Sequence, residues 1–341
     1  MICPKDHHLS LPDLSSSFHI GPVAIRNRVV LAPMSGVTDL PFRTLAWRHG
    51  AGLVVTEMVA SRELVMNREE SWSRLQGTGI TPHMVQLAGR EAHWMAEAAK
   101  IAEANGADII DINMGCPAKK VTGGYSGSAL MRDPDHALSM IEATVKAVSV
   151  PVTVKMRLGW DENTINAPEI SRRAEQAGAR MITIHGRTRM QFYEGKADWD
   201  AIRAVRDEIK IPLIANGDVE TPEDAAEIIR RSGADAVMVG RGAQGRPWHI
   251  GWLAGASAPG REEMAVIVVE HYEAMLELYG REAGLRHARK HLGWYLDRFA
   301  PNLPADQKGA IMISKDTTDV SKRMSAALLD GTFDASQRKA A

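Results

Sequence analysis

DIIDINMGCPAKKVTGGYSGSAL, residues 108–130, is the stretch on which the reading of the chain turns. Ile109, Ile110 and Ile112 make a β-branched apolar run that closes on Asn113, Met114, Gly115, Cys116 and Pro117. Two lysines, Lys119 and Lys120, and a glycine–serine tract from Gly123 to Ser128 follow. A buried strand that stops on an amide, a thiol and a proline, and opens into a flexible loop, brings chemistry to a strand's carboxyl end. The rest of the sequence then reads as the scaffold that sets something opposite Cys116.

Working outward, the same theme repeats. Short apolar runs begin near Val29, Leu53, Met84, Asp108, Pro151, Met181, Ile211 and Ala236, with helical patterns such as 91–105, 134–148, 168–177, 198–208 and 222–231 between them. The helix after Leu53 is the least clear. Eight such units, spaced by roughly 24 to 43 residues, predict an α/β fold of the (β/α)8 TIM-barrel kind. A doubly wound sheet is the competing arrangement, and it usually has fewer strands. Phe18 to Val30 reads as a short hairpin running into the first core strand, after a polar lead-in over residues 1–17. Past Gly255 the strand signal stops. Met264, Ile267, Val268, His271, Met275 and Leu278 share one helical face, and Leu285, Ala288, Leu292, Tyr295 and Phe299 another. Pro304 starts a third helix and Val320 to Leu328 mark a fourth. The expected division is a barrel over residues 18–255 and a small all-helical domain over 256–341.

Composition narrows the class. With 341 residues, 45% hydrophobic and 24% charged, the chain is globular and long enough for a second domain. A formal net charge of -1 excludes a basic nucleic-acid binder in bulk but not a local patch. Two distant cysteines, Cys3 and Cys116, form no disulfide framework and suit a reducing cytoplasm. No apolar run is long enough for a bilayer, and no metal motif such as HExxH or Cys-x-x-Cys occurs.

The strand ends are unusually polar. They carry Glu57, Gln86, Asn113 with Cys116, Lys155 with Arg157, His185 with Arg187, Asn216-Gly217-Asp218 and Gly240-Arg241-Gly242. GRGAQG, 240–245, matches a dinucleotide-binding pattern, but it follows the last strand instead of the first. Its glycines and Arg241 suit a mononucleotide phosphate in the loops after strands seven and eight. With Gln86 at a ring edge and Lys155 as a cation beside an anionic reduced ring, flavin mononucleotide is the cofactor indicated. His185 is either a lining residue or a satisfied core histidine. The roles of Arg157 and Arg187 stay open, pairing with a carboxylate such as Glu57 being one. Cys116 admits three roles: structural thiol, nucleophile or proton donor. An unperturbed thiol is protonated near neutrality, and a hydride delivered to one carbon of a double bond needs a proton for the other, so proton donor comes first.

APMSGVTD (32–39), DINMGCP (111–117), VKMR, IHGRT, ANGDV and VGRGAQGRPW (239–248), in this order, resemble the tRNA-dihydrouridine synthases, and the bacterial B type most closely. RKHLGWY (289–295) resembles that family's helical-domain signature. The resemblance implies an FMN enzyme that reduces particular tRNA uridines to 5,6-dihydrouridine with NADPH. It implies FMN contacts from Pro33, Met34, Ser35, Gln86, Lys155, His185, Asn216, Gly217, Asp218, Gly240 and Arg241. Hydride would pass from flavin N5 to uracil C6 and a proton from Cys116 to C5, with Asn113 helping to hold the base. Ser35 stands where many relatives carry alanine. Residues 281–291 hold four cations against the one carboxylate of Glu282, and Arg286, Arg289 and Lys290 lie on one helical face. With Lys119 and Lys120 they are the expected tRNA contacts, and base flipping follows from a buried target. A monomer is the expected state. The alternatives are an FMN barrel acting on a free small molecule and an RNA-binding regulator that retains flavin.

Overall fold

The apolar runs form eleven strands in a computed structural model that describes residues 13–330, other than Lys119, Lys120, Thr122 and Gly124. They are β1 (Phe18–Ile20), β2 (Val23–Ile25), β3 (Val29–Leu31), β4 (Leu53–Val54), β5 (Val59–Ala60), β6 (Met84–Ala88), β7 (Ile109–Met114), β8 (Val152–Arg157), β9 (Ile182–His185), β10 (Leu213–Asn216) and β11 (Ala236–Val239). β3 to β11 make one parallel sheet in the order β4-β3-β11-β10-β9-β8-β7-β6-β5. Its two ends are halves of a single strand. β4 pairs with β3, Val55 then bridges to Met84, and β5 pairs with β6. The strand is interrupted where the Thr56 hydroxyl takes a ladder position, accepting the Gln86 N–H at 3.0 Å and donating to the Glu57 carbonyl at 2.8 Å. The ring therefore closes into the (β/α)8 barrel that the spacing predicts. The weak helical signal after Leu53 resolves into two short helices, Ser61–Val65 and Glu69–Leu75.

Strand alternation decides what points inward. On β7, Ile110, Ile112 and Met114 join the outer core with Val152, Val154 and Met156 of β8 and the surrounding helices. Ile109 instead joins Phe18, Ile20, Ile25, Val30, Met181 and Ile214 in a separate inner cluster. The β1–β2 hairpin, registered Phe18↔Ile25, thus plugs the amino end of the barrel with apolar side chains. Toward the carboxyl end the inward positions turn polar, with Asp111, Asn113 and Thr153 all buried. Water is excluded below and chemistry is gathered above.

Four helices follow the barrel: Arg261–Tyr279, Arg281–Phe299, Ala305–Ile313 and Thr317–Asp330. The first two are separated by Gly280 at φ +76°, a left-handed conformation that suits glycine. Their apolar faces close a second core that includes Val268, Met275, Tyr295 and Leu328. Leu45 and Trp248 belong to that same cluster, so the helices are seated on the barrel. Each fully buried side chain of this kind stabilises by about 1.5–3 kcal/mol. The seam also carries polar contacts. Tyr279 Oη donates to Asp39 at 3.1 Å, and Tyr295 Oη meets His271 Nδ1 at 3.0 Å. Among the described residues no helix is long and apolar enough to cross a membrane.

Candidate active site

A cavity of about 1200 Å³ opens where the strands end. Pro33, Met34, Ser35, Gln86, Asn113, Cys116, Lys155, His185, Asn216, Gly217, Asp218, Gly240 and Arg241 all line it. Parallel register brings them together: β7 sets Asn113 beside Lys155 of β8, and β9 sets His185 beside Arg157 of β8 and Asn216 of β10. Residues far apart in the chain become neighbours because every strand runs the same way around the ring.

The floor is a hydrogen-bonded chain. Thr153 Oγ1 donates to Asp111 at 2.6 Å, Gln86 Nε2 donates to the other Asp111 oxygen at 2.7 Å, and Asn113 Nδ2 donates to Gln86 Oε1 at 2.6 Å. Asn113 Oδ1 accepts the backbone N–H groups of Gly115 and Cys116 at 3.2 and 3.1 Å. Burial pushes the Asp111 carboxyl up to about 6, against the hydrogen bonds from Gln86 and Thr153.

Four cations surround this floor. Burial lowers Lys155 to about 8 and Arg157 to about 10. Lys155 Nζ donates to Asn216 Oδ1 at 3.2 Å, an amide acceptor for an ammonium that has three N–H groups. Arg157 is held by the carbonyls of Gly115, Thr188 and Phe192 at 2.8–2.9 Å. Arg187 is buried and donates to both oxygens of Asp218 at 2.8 and 2.6 Å, to the carbonyls of Glu194 and Gly195, and to His185 Nε2 at 3.3 Å. Neither arginine pairs with Glu57, whose carboxylate takes the Gly36 N–H instead. Burial, and then the charges of Lys155, Arg157, Arg187 and Arg241, hold His185 well below its ordinary value. The imidazole is neutral, and a bond accepted at Nε2 leaves its proton on Nδ1.

Asp218 sits at φ +55°, in the left-handed region that aspartate tolerates. Burial raises its carboxyl, but the bonds from Arg187 and the Ala197 N–H and the charges of Arg187 and Arg241 outweigh burial and leave it below its usual value. Its oxygens are thus committed to protein donors. Arg241 touches it only at 3.4 Å and stays half exposed. Cys116 is partly exposed beside the floor. Burial pushes its thiol above 9.0, against Arg157 and Lys155, so the sulfur carries its proton.

Of the cations expected on the helical region, Arg286 is exposed and pairs with Glu282 at 3.1 Å, while the buried Nε of Arg289 meets no hydrogen-bond partner among the described residues. Lys290 points its ammonium at Gly36 on the loop after β3. Lys119 and Lys120 lie outside the described residues. Sequence reasoning missed two groups. Asp111 and Thr153 form the floor beneath the amides, and the signal was their i, i+2 spacing from Asn113 and Lys155. Trp294, Asp297, Arg298 and Pro301 line the cavity from the Arg281–Phe299 helix and its end, at spacings of three and four residues.

Known proteins resemble this chain in sequence or in fold. The family model for dihydrouridine synthase (Dus) matches residues 30–327. A probable tRNA-dihydrouridine synthase of Rhizobium leguminosarum bv. phaseoli is 73% identical over 312 residues, covering 92% of this chain and 98% of that one. The tRNA-dihydrouridine synthase B of Xanthomonas axonopodis pv. citri is 47% identical over 284 residues, covering 81% and 86%. Among solved structures, TcOYE with pHBA superposes with a TM-score of 0.53 at 15% identity, covering 74% of this chain and 96% of that one. Morphinone reductase gives the same TM-score and identity, covering 74% and 92%. At that identity the two share a fold with this chain.

Proposed function

The chain belongs to the dihydrouridine synthase family, and from that premise we propose that it reduces particular uridines of tRNA to 5,6-dihydrouridine, using FMN in the barrel mouth and NADPH as reductant. The observation that carries the reading is the Cys116 side chain in the wall of a cavity that barrel and helical region line together, where burial favours the protonated thiol. Small-molecule reduction gives no reason for the second wall, whereas a nucleotide displayed by a larger RNA does.

The residues fit a flavin mononucleotide. The Lys155 ammonium has an amide as its hydrogen-bond partner and calls for a further acceptor, as an anionic ring edge supplies. The half-exposed guanidinium of Arg241 and the turn Gly240–Gly242 suit a phosphate. Pro33, Met34, Ser35, Gln86, His185, Asn216, Gly217 and Asp218 would complete the holding set. When bound, the flavin supplies the hydride that reaches uracil C6.

Cys116 then gives its proton to C5. The thiolate left behind lies near Arg157 and Lys155, whose charges stabilise it until solvent restores the proton. Asn113 orients the base, and the bond from Arg187 keeps His185 in one neutral tautomer. In the same reading residues 18–255 are the flavin-binding barrel and 256–341 the tRNA-binding part, whose Arg286, Arg289 and Lys290 meet phosphates together with Lys119 and Lys120 of the barrel. The enzyme works as a cytoplasmic monomer.

Mass-spectrometric mapping of dihydrouridine in tRNA from a deletion strain tests this. Loss of the modification, restored by the wild-type chain and not by Cys116→Ala, is the expected result. Unchanged dihydrouridine, or free uridine reduced as fast as tRNA, overturns the proposal.

A further inference from the structure

We propose that Glu57 is a positioning residue for the flavin: through the N–H of Gly36 it fixes the tilt of the loop that carries Pro33, Met34 and Ser35 into the cavity. This rests on the flavin reading proposed above. The loop after β3 is a self-contained turn. Met34 N–H donates to Thr38 Oγ1 at 2.8 Å, and the N–H groups of Val37 and Thr38 return to the Met34 carbonyl at 2.9 and 3.0 Å. Its two ends are held separately, by Ala32 N–H on the Val239 carbonyl at 2.9 Å and by Arg43 Nε on the Thr38 carbonyl at 3.1 Å. A stiff turn held at both ends can still rock about the line that joins them. A third bond, made from the middle of the turn, stops that motion. Gly36 N–H supplies it by donating to the Glu57 carboxylate.

The interrupted barrel strand delivers that carboxylate. Thr56 N–H still bonds the Met84 carbonyl at 3.1 Å, but its hydroxyl then takes the Gln86 N–H at 3.0 Å and donates to the Glu57 carbonyl at 2.8 Å. The break between β4 and β5 therefore falls at Glu57 and ties its backbone, through Thr56, to Gln86 of the cavity wall. Glu57 is buried behind that wall, which Pro33, Met34, Ser35 and Val37 line, so it acts on a bound flavin only through the loop. A buried carboxylate is costly unless its oxygens find donors, and the donor found here is a backbone N–H of that loop. The loop is closed in from the helical region as well, since a Cβ on Gly36 would stand 3.0 Å from Lys290 Nζ. The middle of the turn is thus gripped between a barrel carboxylate and the second wall.

Glu57→Gln and Glu57→Met separate the bond from the packing. Both side chains are close to glutamate in size; glutamine keeps an oxygen for Gly36 N–H, whereas methionine offers only a weakly accepting sulfur. Affinity is read from the FMN fluorescence released as the loaded full chain is diluted, and ring placement from the visible circular dichroism of the bound flavin. Glu57→Met should raise the dissociation constant of FMN by about tenfold or more and alter the dichroism. Glu57→Gln should stay within about threefold of wild type and keep its dichroism, although it too has lost the charge. Tyr279→Phe removes a hydroxyl bonded to Asp39 on the same seam, reads general loosening, and should change neither signal. Wild-type behaviour of Glu57→Met overturns the proposal. So does a glutamine variant as impaired as the methionine one, or an equal effect from Tyr279→Phe. If Glu57→Met is not recovered folded, Glu57→Ala takes its place under the same thresholds. A wild-type chain that takes up no FMN brings down the flavin reading itself and this inference with it, whereas tight FMN binding indifferent to Glu57 brings down this inference alone.

Discussion

Replacing Asp218 with asparagine removes one charge from a buried pair and little else. Asparagine keeps the size of the side chain and tolerates φ +55°, so the backbone is undisturbed. What is lost is the partner of Arg187, whose side chain is 2% exposed and which now meets an N–H where an oxygen stood. Breaking a buried pair from one side costs about 3–5 kcal/mol, and the 30% exposure of Asp218 argues for the lower end, about 3. With about 2.1 cal/mol/K of unfolding entropy per residue, 341 residues give about 0.7 kcal/mol/K, so the melting temperature should fall by about 4 °C. Arg241→Ala breaks only a half-exposed contact at 3.4 Å and should move it by less than about 1 °C. The sign with pH is defined. The Asp218 carboxyl is depressed, so its stabilisation is present above the unfolded value of 3.8 and is lost as pH falls through the folded one. Thermal melts at pH 7 and below 4 measure both effects. A variant melting within about 1 °C of wild type at pH 7, or a gap that widens in acid, would refute the reasoning.

Four further outcomes follow from the same geometry. Cys116→Ala should lower dihydrouridine formation by about 10²–10⁴ while retaining flavin absorbance, and the wild-type rate should fall as pH rises through about 8, where Lys155 loses its charge, before the raised thiol loses its proton. Gly127 has φ +60°, and a Cβ there would stand 2.8 Å from the Cys116 carbonyl oxygen; Gly127→Ala should therefore displace the thiol and cut turnover more than flavin affinity. Asp39 is pushed up to about 6 by burial, so its protonated form favours the fold below its unfolded 3.8 and that contribution, about 3 kcal/mol at most, is lost as pH rises to about 6; Asp39→Asn keeps the cap on Phe42 and should flatten this part of the stability profile in denaturant titrations. Arg286→Ala with Lys290→Ala should weaken tRNA binding and reduce the slope of its salt dependence by about one to two ion equivalents in a filter-binding titration, with flavin content unchanged.

The barrel was legible because its cause is local. The units of β6 to β10 announce themselves by a short apolar run followed by a helical period, and neither signal depends on anything distant, whereas the helix after Leu53 was faint. The polar strand ends were legible for the same reason, since a parallel barrel puts every strand's carboxyl end on one rim. Asp111 was harder to recognise. It reads as one polar residue in an isoleucine-rich strand, and its role appears only when Gln86, 25 positions earlier, and Thr153, 42 positions later, close around it.

The sequence by itself determined the alternation, the direction of each strand residue and the set of chemical groups at the mouth, with Cys116 among them. The tertiary structure alone decided the partnerships. Arg187 chose Asp218 over Glu57, Lys290 turned to Gly36, and Trp294, Asp297 and Arg298 reached the cavity that the strands had opened. The physical reason is that periodicity encodes which face of an element is apolar, whereas a hydrogen bond within 3 Å depends on how two finished elements dock.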